Sequence, residues 1–336
     1  MAKNTGALLI KISLLAAFCI FLWWELFHKQ DILLLLSNFR IRLSESNPLL
    51  LYLAMALVPV NWLLESLKWW LLVLEFEKIN FVKAIKAVLT GVAIGIFTPG
   101  RIGEYGGRAI SISAENIVES VVATFLGSIS QLLATILFGY IGAICFLHHF
   151  SLISGLILWF FIVFGAGSFL LLLFLYYNAG ILVDIAAKFY RLAVKRITLL
   201  QHCKQILSRW LEHVKVLQKY SSNQLSIALF TSAIRYFVYS SQYLLLLNFM
   251  GIETDFSIGI SAVATVFLLQ SSIPLPPVSG LIIRGGTALY IWQYISANQV
   301  AILATTLSLW LMNVIIPALI GMVLLINTDI FRTNDR

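Results

Sequence analysis

The stretch Phe97-Thr98-Pro99-Gly100-Arg101-Ile102-Gly103-Glu104-Tyr105-Gly106-Gly107-Arg108 closes a short apolar run that begins at Phe81. Pro99 and Gly100 stop a helix there. Three charges, Arg101, Glu104 and Arg108, follow at once. At the depth of a bilayer such groups must face protein or a wet cavity, because lipid offers them no partner. A second stretch repeats the pattern. Residues 256–273 are apolar and end at Pro274-Leu275-Pro276-Pro277-Val278-Ser279-Gly280, and the run resumes at 281–295 with Arg284-Gly285-Gly286. Phe81 to Pro99 and Phe256 to Pro274 are each 18 residues. Each proline precedes a Gly-Gly-x-Ala, at 106–109 and at 285–288. Two such matches in corresponding positions point to an internal repeat.

The rest of the chain supplies the setting. It has 336 residues, 60% hydrophobic and only 11% charged, with a mean hydropathy of +0.93. Soluble domains carry roughly 25% charged residues, so a chain this apolar needs lipid as its solvent. Long apolar runs at 7–27, 49–74, 117–146, 152–177, 224–249 and 300–326 are each close to the roughly 20 residues a spanning helix needs. The predicted fold is therefore an all-α polytopic membrane protein. It has about six full spans plus two Pro/Gly-broken re-entrant hairpins in an inverted repeat. One transmembrane domain occupies 1–336, with repeat-like halves at 49–177 and 224–326 joined by 178–223.

The net charge of +8 does not suggest nucleic acid, because it is not spread over a soluble surface. Most of it lies in 178–223, where Lys188, Arg191, Lys195, Arg196, Lys204, Arg209, Lys215 and Lys219 face only Asp184 and Glu212. Eight minus two gives +6. Cytoplasmic loops carry such an excess, so this segment is expected inside, either as an amphipathic helix on anionic lipid or as a solvated hairpin. Counting spans from it puts both termini and 75–116 in the cytoplasm. The 28–48 and 250–255 connectors then lie outside, and the two hairpins enter from opposite faces. Cys19, Cys145 and Cys203 are far apart and show no disulfide or metal pattern.

At the two hairpins and at Asn61-Trp62-Leu63-Leu64-Glu65-Ser66-Leu67-Lys68-Trp69 the sequence resembles the lysylphosphatidylglycerol synthase transmembrane region, or flippase-like, family. The resemblance runs over about 5–328. It implies a bacterial inner-membrane protein that moves a lipid between leaflets. Some members are fused to a cytoplasmic synthase that adds an amino acid to phosphatidylglycerol. This sequence ends soon after the last span, so aminoacyl transfer by it alone is not expected. It also departs from the family at Val278-Ser279-Gly280-Leu281-Ile282-Ile283-Arg284, where many members carry a Glu and this chain carries a cation.

The candidate headgroup ligands are Arg101, Glu104, Arg108 and Arg284. Arg forks match phosphate oxygens in two-point contacts, and a helix N-terminus near Gly100 would add N–H donors. The competing reading is a salt-bridge lock between hairpin and bundle. Glu65 and Lys68, three apart on one helix face, are expected to form a polar lock. Arg235, mid-span, needs Glu65 or Glu104 as partner. Pro99, Gly103, Pro277 and Gly280 shape the breaks. No Gly-Lys-Ser/Thr phosphate loop, His-Glu-x-x-His or nucleophile elbow is present, and neither a metal nor a cofactor is expected. The leading expectation is a non-enzymatic flippase-like protein for an anionic phospholipid or polyprenyl-phosphate-linked lipid. The alternatives are an enzyme or membrane subunit for lipid headgroup modification, by aminoacyl or glycosyl transfer with Glu104 as base, and a scaffold recruiting a cytoplasmic enzyme. A homo-oligomer remains open.

Overall fold

The computed structural model describes residues 32–181, 215–272 and 280–327, with the helical positions 185 and 188. The expected first span at 7–27, most of the basic segment, and Pro277 lie outside the described residues.

Every regular element among the described residues is helical. In chain order they are α1 (Ile32–Glu45), α2 (Pro48–Val73), α3 (Phe81–Gly95), α4 (Gly103–Ala109), α5 (Ile117–His149), α6 (Gly155–Tyr177), α7 (Ser222–Phe249), α8 (Phe256–Ser272), α9 (Gly280–Trp292), α10 (Gln299–Trp310) and α11 (Ile316–Asn327). The starts follow from sequence. The Asn47 side chain accepts from Leu49 N–H with Pro48 in the first turn, the Asn80 side chain accepts from Lys83 N–H, and Ser221 with Gln224 forms a reciprocal capping box. A π-helical turn, Leu311–Ile315, joins α10 to α11, so the last expected span is one helix with a bulge.

Among the described residues four helices are long and apolar enough to cross a membrane: Pro48–Val73, Ala114–His149, Gly155–Tyr177 and Gln299–Ile326. The expected span at 224–249 appears as α7, which equals them in length but carries Ser, Thr, Gln and Arg235. The reason is its position: α7 packs against α2, α5, α8 and α10, so its polar groups meet protein. By contrast α6 packs on α5 and leaves Leu156, Trp159, Phe160, Phe164 and Leu170 exposed, a surface suited to lipid.

Hydrogen bonds fix which connectors share an end of the bundle. At one end the Tyr220 hydroxyl donates to Leu72 O at 2.9 Å, Gln224 donates to Glu75 at 2.7 Å and the Tyr176 hydroxyl donates to Leu225 O at 3.1 Å. Ser113 donates to Glu77 there at 2.7 Å. At the other end the Ser46 hydroxyl donates to Phe249 O at 2.7 Å, and Tyr294 packs its ring on Phe146 and Phe150. The α3–α4 hairpin therefore opens at the first end and the α8–α9 hairpin at the second.

The packing is reciprocal. α2 pairs with α7, α3 of the first hairpin lies on α11, and α8 of the second lies on α5. The two hairpin crossings each use a glycine of the long helix. A Cβ on Gly321 would overlap the Leu89 carbonyl, and one on Gly142 would overlap Ala264 Cβ. Small residues that let backbones approach are how membrane helices gain contact energy.

Candidate functional site

Helix α2 turns one face inward, carrying Asn61, Trp62, Glu65, Lys68 and Trp69, all buried. Glu65 is the hub. Its Oε2 meets Lys68 Nζ at 2.8 Å and Arg235 Nη1 at 3.2 Å, and its Oε1 accepts from Arg108 Nη2 at 2.9 Å. One carboxylate thus joins α2, α4 and α7. Lys68 also donates to Ser232 Oγ at 3.3 Å, whose hydroxyl pairs with Ser130 at 3.0 Å. Trp69 Nε1 donates to Thr124 Oγ1 at 3.0 Å, tying the same face to α5. Arg235 also donates to Gln131 Oε1 at 3.1 Å and lies over the Trp62 ring, 5.6 Å from its centroid.

The hairpin delivers the remaining charges. Its tip turns through two left-handed residues, Gly100 at φ 61° and Arg101 at φ 59°. Glycine takes that conformation freely, whereas a long side chain does so at a cost of roughly 1–3 kcal/mol. Glu104 bridges Arg108 at 3.3 Å and also pairs with Arg101. The two arms touch backbone to backbone: a Cβ on Gly107 would stand 2.6 Å from Gly91 Cα, and one on Gly95 would overlap the Glu104 side chain. The helix expected to start near Gly100 starts later. α4 begins at Gly103 and has 7 residues, and its first N–H donates to Thr98 Oγ1 at 2.7 Å.

Two polar cavities meet here. One, of about 300 Å³, is lined by Asn61, Trp62, Arg101, Gln131, Arg235, Tyr239, Gln270, Arg284 and Asn313 among others, and among the described residues no carboxylate lines it. The other, of about 240 Å³, is lined by Glu65, Lys68, Glu104 and Arg108, and again by Trp62, Arg101, Gln131 and Arg235. Lys68, Arg101, Arg108, Arg235 and Arg284 stand against Glu65 and Glu104. Five minus two leaves +3. Among the described residues, Nε of Arg108 and of Arg235 are buried without an acceptor.

The predicted residues are thus brought together, with one refinement. Arg101 shares a cavity with Arg284, while Glu104 and Arg108 face the adjoining one. Arg235 takes Glu65 as its partner. Gly280 starts α9, and Gln270 of α8 donates to the Arg284 carbonyl at 3.4 Å and to Thr287 Oγ1 at 3.2 Å, closing the second hairpin. Sequence reasoning passed over Trp62, Gln131 and the buried pair in which Asn61 Nδ2 donates to Asn313 Oδ1 at 2.8 Å. The signal was present: an amide in the middle of an apolar span is as costly to strand as a charge is conspicuous. Among the described residues no group of three or more His, Cys, Asp or Glu is placed to hold a metal ion.

The sequence model of the family described as Lysylphosphatidylglycerol synthase TM region matches residues 8–321 of the chain. No curated protein matches it.

Proposed function

The chain belongs to the lysylphosphatidylglycerol synthase TM region family, and from that premise we propose that it is a flippase-like protein. It draws an anionic lipid headgroup, of a phospholipid or a polyprenyl-phosphate-linked lipid, into the cationic cavities and passes it across the bilayer. The observation that supports this reading is the 300 Å³ cavity that holds Arg101, Arg235 and Arg284 with no carboxylate in its wall among the described residues. A cation at the bilayer centre costs roughly 2.5–3.5 kcal/mol even on the mild insertion scale. Glu65 and Glu104 leave a surplus of three, which a phosphate would compensate through charge-assisted contacts. Both carboxylates are committed to cations, so neither stands ready as the base a headgroup transferase needs. In this reading the hairpins are re-entrant halves of an inverted repeat that meet at the headgroup site. The protein sits in a bacterial inner membrane with both termini and the basic segment in the cytoplasm.

The test is translocation of a fluorescent anionic phospholipid in vesicles holding the purified chain. Arg284→Gln and Arg101→Gln should each lower the rate about tenfold or more, as loss of a charged hydrogen bond worth ~1.5–3 kcal/mol requires. Variants that translocate at the wild-type rate but melt earlier would make the charges a structural lock.

A further inference from the structure

A third cavity, of about 370 Å³, is apolar throughout and lies between α2, α3 and α11. Met55, Leu63, Ile316 and Ile320 line it and are exposed, an apolar surface suited to lipid. Trp62 lines this groove and both polar cavities. The floor between the groove and the arginine cavity is therefore Trp62, together with the Asn61–Asn313 hydrogen bond that ties α2 to the π-helical turn. The Trp62 indole N–H is buried without an acceptor among the described residues. An indole only donates, so this group waits for an oxygen.

Both walls are interrupted beside that floor. Pro59 sits inside α2, and the π-helical turn Leu311–Ile315 leads into Pro317 on the other side. Proline and π-turns are where helices bend.

Resting on the reading that the cationic cavities take an anionic headgroup, we propose that this groove holds an acyl chain of the same lipid. The chain lies between α2 and α11 while its phosphate meets Arg101, Arg235 and Arg284. The Trp62 N–H serves the ester or phosphate oxygens at the junction. The groove is then the lateral port, and the Asn61–Asn313 bond is its latch. The occupant is argued from continuity: among the described residues Trp62 and the Asn61–Asn313 pair alone separate a chain-sized apolar space from a cation-rich space of headgroup size.

The experiment uses the full chain in vesicles containing phosphatidylglycerol with a photoactivatable acyl chain, and in parallel diacylglycerol with the same chain. Phosphatidylglycerol should label the peptides of Met55, Leu63 and Ile316 about tenfold above those of the lipid-facing helix α6, a ratio set by a single charged contact. Diacylglycerol should not. Val58→Trp, which fills the groove and touches no cation, should remove the labelling, and Arg284→Gln should reduce it. Labelling that is even over α6 and the groove, or that survives Arg284→Gln undiminished, means an ordinary annular lipid and overturns the port. If wild-type labelling depends on Arg284 yet no lipid crosses the vesicle, the groove stands as a binding subsite and the transport reading falls.

Discussion

Glu65 on α2 and Arg108 on the hairpin helix α4, 43 residues apart in sequence, meet at 2.9 Å in a buried bond. Arg108 reaches Glu65 across the gap that Gly91 leaves: a Cβ there would stand 2.8 Å from Arg108 Cγ. The hairpin is therefore docked by charge at one point and by close backbone contact at another.

Removing the hub should be costly in a way that removing a rim cation is not. Glu65→Gln leaves Lys68, Arg108 and Arg235 without their shared anion. Breaking a buried pair from one side costs about 3–5 kcal/mol, and three cations depend on this one. Arg101 is partly exposed, and its loss should change stability little. Thermal melting of both variants in detergent checks this, and equal losses would dismiss the hub.

Two neighbouring glycines should respond oppositely. A Cβ on Gly107 would press on the Gly91 backbone, whereas one on Gly106 meets nothing within 4 Å. Gly107→Ala should destabilise by about 1–3 kcal/mol. Gly106→Ala should be neutral or slightly stabilising, since alanine suits a helix better. A melting comparison of the pair suffices.

The connector between α2 and α3 carries an acid-sensitive tie. Burial alone would raise the Glu77 carboxyl. The Ser113 hydroxyl and N–H, the Asn116 amide and Lys83 outweigh it and hold the group below its ordinary value of 4.5. A carboxyl depressed on folding adds stability that is whole above its unfolded value and is lost as pH falls through the folded one. The wild type should therefore melt above Glu77→Gln at neutral pH, with the gap closing as pH drops below 4.5. A gap independent of pH would mean the tie is not ionic.

The proposed orientation predicts opposite accessibility for the two ends of α7. Single cysteines at Ser221 and Thr254, labelled from outside intact cells, should react only at Thr254. Labelling at the same side for both would remove the opposed hairpins from the mechanism.

Much of this was legible because it depends on local chemistry. Pro99-Gly100 and the Pro274–Pro277 cluster announce broken helices, and a charge inside an apolar run has few places to go. What the sequence withheld were partnerships between distant helices. Nothing near Arg235 chooses Glu65 over Glu104, because that choice depends on how α7 crosses α2. Trp62 reads as one more apolar residue until three cavities converge on it. The helix expected to start near Gly100 starts at Gly103, where Thr98, close in sequence, takes its first N–H.

The contact between Gly91 and Gly107 has a mechanical consequence. Two helices meeting backbone to backbone cannot slide past each other without lifting apart, so α3 and α4 must travel as one rigid block. Where that block rests on α11, Gly321 meets the Leu89 backbone as closely, so the same rule ties the hairpin to α11. A motion that opened the arginine cavity would then have to carry the hairpin as a unit. Arg101, Glu104 and Arg108 would move with it in fixed formation, and Glu65 would be the contact they leave behind.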